Sequence, residues 1–306
     1  MCHARSRILF ASSAKCTSCA SGMCSLGNGR SGDSRTHLRT PYDEGARVRL
    51  NIVSDVHGAT HAIQSAAQDC DVFICLGDLI LFLDYDEPEQ GIYAQLFGVD
   101  YAKTYISLRT ANRFDEAREF SANAWRGIGV TDQQERARVL QEKVCEQYEV
   151  MFAAIPTPAL LTYGNVDVPA LWPEYLRAQH RVLDGEVIQM NGQKWGFVGG
   201  GLTSPMRTPY ELEPEVYAEK LFGLGPVDIL FTHIPPLNPL LNYDTVARRF
   251  EIGSVAITNY IKKFSPKYHF FGHVHQPQRS RMRIGETECI NVGHFHSRKV
   301  PFTIDV

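Results

Sequence analysis

From residue 48 onward the apolar residues come in short runs bounded by Gly, Pro or Asp, with helix-forming stretches between them. Val48 to Ser54, Asp71 to Leu76, Ala159 to Tyr163, Trp195 to Val198, Val227 to Phe231 and Tyr268 to Phe271 are such runs. Runs this short predict buried strands, and Ala59 to Gln68, rich in helix formers, predicts a helix after the first of them. Asn191-Gly192 and Ile284-Gly285-Glu286 each separate two strand-like runs, which predicts hairpins. Strands alternating with helices at this spacing give an α/β fold class.

One stretch breaks the alternation. Between Asp78 and Asn165 lie 86 residues with almost no strand signal. Leu140, Val144, Tyr148 and Met151 recur at helical spacing, with Glu142, Lys143 and Glu146 opposite. Tyr101 to Trp125 reads as one further helix, ended by Gly127 and Gly129. Residues 84–155 are therefore expected to be a helical insertion within one domain spanning 48–306.

Residues 1–47 show neither period. They hold seven Lys/Arg and three acids, a net charge of +4 within a chain of net −3, and are rich in Ser, Gly and Cys. The segment is expected to be a leader or disordered, and its basic, Ser-rich character suits a transit peptide. Cys16-x-x-Cys19 with Cys24 nearby could hold zinc or an iron–sulfur cluster, but no second pair follows at zinc-ribbon spacing. Cys70, Cys75, Cys145 and Cys289 are scattered through apolar segments, as reduced core cysteines are. No apolar run approaches the ~20 residues of a membrane span. These features predict a soluble, cytoplasmic protein with no membrane partner, an organellar leader being the alternative. An acidic core without a basic–aromatic stripe argues against a long nucleic-acid partner.

Five predicted strand ends carry metal-capable side chains: Ser54-Asp55-Val56-His57-Gly58, Leu76-Gly77-Asp78-Leu79, Tyr163-Gly164-Asn165-Val166-Asp167, Phe231-Thr232-His233-Ile234-Pro235-Pro236 and Phe271-Gly272-His273-Val274-His275. Strand C-termini form the ligand crevice of an α/β sheet, so these segments can converge. In near-extended chain, residues i and i+2 face the same way, which brings Asp55 with His57, and His273 with His275, to one side. A carboxylate such as Asp78 can bridge two cations, and mixed nitrogen and oxygen donors suit Mn, Fe, Zn, Co or Ni; ligand type alone does not choose among them, and Mn is the expected ion.

In order and residue type these motifs resemble the calcineurin-like metallophosphoesterase superfamily, whose pattern is DxH, GDxx, GNxD/E, a single His, then GHxH. The likeness runs from Val48 to the chain end. It implies a four-layer α/β/β/α sandwich of two mixed sheets. It implies Asp55, His57, Asp78 and His275 around a first divalent metal ion, and Asp78, Asn165, His233 and His273 around a second. Asp55, His57, Asp78, Asn165 and His233 would also serve catalysis. The implied reaction is hydrolysis of a phosphodiester or activated phosphate of a small molecule or nucleotide by a metal-bridging hydroxide.

One position departs from the pattern. Many members have His where this chain has Val166, so the usual leaving-group acid is absent, as in the family's small phosphodiesterase branch. That branch also resembles this chain in His233-Ile234-Pro235-Pro236. Lacking an acid costs least with good leaving groups, so aryl diesters and anhydrides are expected to outrun alkyl monoesters. His61 is a candidate substitute acid, though a polar helix-face residue is the plainer reading. His294 and His296 lie either near the crevice or on a surface loop. Asp84, Asp86, Glu87 and Glu89 read as a solvated acidic loop, or as a device repelling highly anionic substrates. Gly199-Gly200-Gly201 fits close backbone packing, since no phosphate-loop motif exists in the chain. A metal-binding scaffold without catalysis is the alternative function. The insertion is expected to cap the site or to support oligomerisation.

Overall fold

The computed structural model describes residues 47–306. The leader, its transit-peptide reading and the Cys16-x-x-Cys19 candidate lie outside the described residues. β1 (Arg49–Val53) leads into α1 (Thr60–Ala66), and β2 (Val72–Cys75) lies parallel to β1 with Leu50 opposite Val72. Four helices follow: α2 (Gly91–Phe97), α3 (Val99–Thr110), α4 (Phe114–Gly127) and α5 (Gln133–Ala154). β3 (Ala159–Leu161) and β4 (His180–Val182) then extend the sheet in parallel.

The single helix expected over Tyr101 to Trp125 is in fact α3 and α4. Asn112 breaks it at φ +57°. Arg113 N–H donates to Leu108 O (2.9 Å) and Asn112 N–H to Arg109 O (3.0 Å). This bond pair is a left-handed helix ending, which Asn tolerates better than other residues with a Cβ. The hydrophobic spacing carries no mark of it.

The second sheet begins with β5 (Glu186–Met190) and β6 (Gln193–Val198), a hairpin turned by Asn191 (φ +50°) and Gly192 (φ +76°). Two positive φ values match the twist that joins antiparallel strands in two residues. Short β7 (Gly201–Leu202) and β8 (Glu211–Leu212) pair with each other, and α6 (Pro214–Gly223) leads to β9 (Ile229–Thr232), parallel to β6. The chain then forms α7 (Pro239–Asn242), the β10 (Tyr243–Asp244) and β11 (Arg249–Phe250) pair, and α8 (Val255–Phe264). β12 (Tyr268–Phe271) lies parallel to β9. β13 (Arg281–Ile284) turns back into β14 (Thr287–Asn291), which runs parallel to β12. After α9 (Phe295–Arg298), β15 (Phe302–Asp305) closes the first sheet antiparallel to β1. The sheet orders are β15-β1-β2-β3-β4 and β13-β14-β12-β9-β6-β5, both mixed.

Successive strand residues face opposite ways, and both faces are filled. Leu50, Ile52, Ile74 and Leu76 of the first sheet meet Trp195, Phe197, Ile229, Phe231 and Phe270 of the second. On the far side of the first sheet, Val53, Phe73 and Cys75 pack with Ile63 of α1 and with Tyr148, Met151 and Phe152 of α5. On the far side of the second, Val198, Leu230 and Phe271 pack with Tyr217, Leu221, Ile257 and Tyr260 of α6 and α8. The layers run α/β/β/α. Strands buried on both faces explain why the sequence shows continuous apolar runs and not alternation. No helix among the described residues is long and apolar enough to cross a membrane. Cys70, Cys75, Cys145 and Cys289 are free thiols.

Candidate metal centre

The parallel strands β1, β2, β3, β9 and β12 deliver Asp55, Asp78, Asn165, His233 and His273 just past their C-terminal ends. Three donor groups result, each with its donor atoms within 4.8 Å of one another: Asp55–His57–Asp78, Asp78–His233–His273 and His57–His275–His294. Asp78 belongs to two of them. Its Oδ2 lies 3.3 Å from His233 Nε2 and 3.9 Å from His57 Nε2. Asn165 Oδ1 lies 3.0 Å from His233 Nε2, and Asp55 Oδ1 lies 3.6 Å from His275 Nε2. All seven residues expected as ligands therefore meet in one crevice.

The chain reaches this arrangement through unusual backbone. Asp55 (φ +55°), His57 (φ +38°), Asp78 (φ +55°) and His273 (φ +66°) are all left-handed although none is glycine. Such residues cost roughly 1–3 kcal/mol each and persist only where neighbours hold them. Here Asp55 N–H donates to Gly77 O (3.1 Å) and His57 N–H to Asp78 O (2.9 Å). His273 N–H donates to Asp55 Oδ2 (2.9 Å), tying the second sheet to the first. Glycine makes the close approach possible. A Cβ at Gly164 would fall on Asp78 Oδ1, and one at Gly272 on Ser54 Oγ and Asp55 Oδ2.

The imidazoles are oriented from behind. His57 Nδ1 lies 2.9 Å from Ile80 O and His233 Nδ1 lies 3.0 Å from Leu76 O. A carbonyl only accepts, so each Nδ1 carries the proton and each Nε2 faces the donor cluster. Asn165 is fixed likewise: its Nδ2 donates to Thr208 Oγ1 (3.1 Å), which aims Oδ1 at His233.

The acids and imidazoles of the cluster set one another's protonation. Burial opposes ionisation of Asp55, but the His275 hydrogen bond and the neighbouring imidazoles hold its carboxyl well below the usual range. Asp78 is lowered in the same way, burial being outweighed by His233 and His57. His233 is wholly buried, which disfavours its charge, yet Asp78 pushes it up to about 9. Burial lowers His57 and His273. In the metal-free protein a proton on His233 Nε2 therefore sits between Asp78 Oδ2 and Asn165 Oδ1, and the same three atoms are donors that suit a divalent cation.

Several residues outside the expected set are part of the centre. Asp167 is completely buried and accepts from the N–H groups of Asp78 (2.8 Å), Leu79 (3.0 Å) and Gly164 (2.8 Å). Burial and the charge of Asp78 push it up to about 7. It ties the Asp78 loop to the Asn165 loop, a role hidden in the fourth letter of the GNxD motif. Val166 packs on the core, and its N–H donates to Asp78 Oδ1 (3.0 Å). His294 is buried, with its ring stacked on His275 at 3.7 Å and 5°. Its signal in the sequence is Gly293-His294, which repeats the junction Gly272-His273 after another strand.

Among the other candidates, only the acidic-loop expectation for Asp84 is corrected. His296 Nδ1 lies 2.7 Å from His57 O and Nε2 lies 3.1 Å from Asp84 Oδ2, so it braces the His57 loop. Asp84 is buried, unlike the exposed Asp86, Glu87 and Glu89, and its Oδ1 accepts from Asp86 N–H (2.9 Å) and Glu87 N–H (2.9 Å). It is not part of a solvated acidic loop, because its two oxygens face the Asp86 and Glu87 N–H groups and His296 in place of water. His61 stands exposed on α1. Close packing explains the glycine run: a Cβ at Gly199 would lie 2.7 Å from Thr162 Oγ1, and one at Gly201 2.7 Å from Asn165 Cβ.

No protein-family model matches this chain, and no curated protein matches it. One solved crystal structure is similar with a TM-score of 0.51 and 15% identity, over 82% of this chain and 92% of that one. The crystal structure of TT1561 of Thermus thermophilus is similar with a TM-score of 0.47 and 14% identity, over 85% and 99% of the two chains. The first likeness supports the α/β architecture, and at this identity it speaks to the fold alone.

Proposed function

We propose that this protein is a hydrolase of the calcineurin-like metallophosphoesterase kind, acting on a phosphodiester or activated phosphate of a small molecule or nucleotide. One observation carries the reading: the Asp78 carboxylate is shared between two groups of metal-capable donors, as a bridging ligand must be. Asp55, His57, Asp78 and His275 would hold one divalent cation, and Asp78, Asn165, His233 and His273 the other. Manganese is our first choice. The donor chemistry fits, with imidazole Nε2 atoms turned inward and carboxylates kept ionised beside them. When bound, the pair of cations would supply Lewis acidity toward a phosphoryl group and a water activated at neutral pH.

The chain's own residues do the rest. Asp55 and Asp78 keep negative charge in a buried crevice, which favours cations and leaves phosphate to be attracted only once they are bound. Backbone ties at Ile80 and Leu76, with the Thr208 hydroxyl, fix the donors before any ligand arrives, so little reorganisation is needed. Val166 offers no proton to a leaving group, which favours substrates whose leaving groups need none.

The insertion is our proposed specificity element. Arg109 of α3 lies 2.9 Å from Met206 Sδ, on the loop whose Thr208 fixes Asn165. α5 is excluded from that role, because its Tyr148, Met151 and Phe152 belong to the main core. Replacing residues 99–127 by a short link should change the substrate range while leaving metal binding intact. We place the protein in the cytoplasm, a reading that the free thiols support. The test of the activity is a metal-reconstituted screen of bis-aryl phosphate, aryl phosphate, cyclic nucleotides and dinucleotide polyphosphates. Hydrolysis of a diester or anhydride that vanishes in Asp78→Asn supports the enzyme. Metal binding without turnover of any of them supports the scaffold.

A further inference from the structure

β14 runs parallel to β12 and ends at the same crevice, so its C-terminal end obeys the rule that placed the other donors. Asn291 closes the strand by donating from Nδ2 to Val274 O (2.9 Å) and Gly272 O (3.2 Å), while its Oδ1 accepts from Gly293 N–H (2.8 Å). This clamp joins the His294 loop to the loop bearing His273 and His275. His294 follows at once, 7% exposed, with a donor atom within 4.8 Å of those of His57 and His275.

Its hydrogen bonds accommodate the tautomer a ligand needs. Ser297 Oγ donates to His294 O (3.5 Å) and lies 2.8 Å from His294 Nδ1. With its proton turned to the carbonyl, the hydroxyl accepts from Nδ1–H. Nε2 of the neutral ring then keeps a free lone pair. The same back-bonding prepares His57 and His233. A buried histidine serving only as packing has no need of two neighbouring imidazoles with converging donor atoms.

We infer that His294 is a ligand of the first metal position, completing a set of three imidazoles and two carboxylates from His57, His275, His294, Asp55 and Asp78. The inference rests on the two-cation reading above. It makes the two positions chemically unequal, because the second has two imidazoles, one carboxylate and one amide oxygen. Both sets offer two oxygens, and the additional imidazole of the first shifts its preference toward Fe, Co, Ni or Zn and away from Mn or Mg. The first position therefore binds a nitrogen-preferring divalent ion more tightly and fills first.

The test is a cobalt(II) titration of chelator-stripped protein, followed by calorimetry and by the visible absorption of the bound ion. Wild type is expected to bind two ions in two affinity classes. His294→Phe keeps a flat ring on His275 without a donor, and His294→Gln keeps a polar side chain. Both should weaken the tighter class by about tenfold or more, the scale on which loss of a supporting group acts. They should also change its absorption band and leave the weaker class unmoved. Urea midpoints of the metal-free variants check folding. On cobalt-loaded wild type, counting hyperfine-shifted imidazole N–H signals gives an answer free of any variant: five ligand histidines are expected, and four would overturn the inference. Unchanged affinities and spectrum in folded His294→Phe would also overturn it, leaving the dinuclear reading standing. Wild type that binds no cobalt would overturn both.

Discussion

Gly272→Ala tests how tightly the two sheets are locked at the crevice. A methyl group there would fall on Ser54 Oγ, Ser54 Cβ and Asp55 Oδ2, which belong to the loop after β1 of the opposite sheet. The backbone at 272 is pinned, since Gly272 N–H donates to His233 O (2.9 Å) and Val274 N–H to Gly272 O (2.8 Å). The Asp55 loop must therefore give way by about an ångström to restore ordinary van der Waals contact. Overpacking of this kind costs about 1–3 kcal/mol, and a domain of this size loses roughly 2–4 °C of Tm per kcal/mol. Displacing Asp55 also strains its bond from His273 N–H, so manganese affinity should fall by about tenfold, the equivalent of ~1.4 kcal/mol. Urea unfolding of metal-free protein and calorimetry of manganese binding separate the two effects. Gly127→Ala is the control: a Cβ there meets nothing within 4 Å at the end of α4, and stability should rise by about 0.4–1 kcal/mol with metal affinity unchanged. Gly272→Ala binding manganese as well as wild type would refute the claim that Asp55 is held by this contact.

Further outcomes follow from other parts of the centre. Asp167→Asn leaves one oxygen for three buried N–H groups, so one donor goes unpaired at a cost of about 1–3 kcal/mol, and Asp167→Ala costs more. Urea midpoints of the two variants measure this. In the metal-free protein His233 is raised to about 9, so its stabilising contribution is complete below about pH 6.5 and is lost as pH rises through 9. Asp167, raised to about 7, loses its contribution earlier, between about pH 3.8 and 7. Below about pH 6.5 the lowered His57 and His273 make stability rise with pH and oppose Asp167, so the net fall should show in the upper window, from about pH 6.5 to 9, and His233→Asn should flatten it. Manganese binding at pH 7.5 should release close to one proton from His233, read with an indicator dye, and far less above pH 10. Val166→His should raise turnover of alkyl monoesters relative to aryl diesters by about 10²-fold, the lower range for general-acid catalysis. The ratio of kcat/KM values checks it.

Much of this centre is legible in the sequence because the donors sit at strand ends next to glycines. Strand type follows from short apolar runs, and strand ends are where an α/β crevice forms. Tyr268 to Phe271 is β12 to the residue, and the Asn191-Gly192 hairpin is where that dipeptide puts it. The residues that hold the donors are less legible. Asp167, Thr208 and Ser297 act through hydrogen bonds that no local apolar or polar period records. Asn112 breaks a stretch that is rich in helix formers on both sides of it. Asp84 resembles its solvated neighbours in sequence, while its contact with His296 spans the fold. His294 is ambiguous in sequence because β14 reads as one arm of a hairpin, and only the sheet makes it a parallel neighbour of β12.

The most direct test of the central claim is a manganese titration of chelator-stripped protein with bis-aryl phosphate hydrolysis measured at each point. Two ions per chain are expected, with activity absent at the start and restored as the second ion binds. Fewer than one ion per chain, or hydrolysis that survives stripping unchanged, would contradict the dinuclear phosphoesterase.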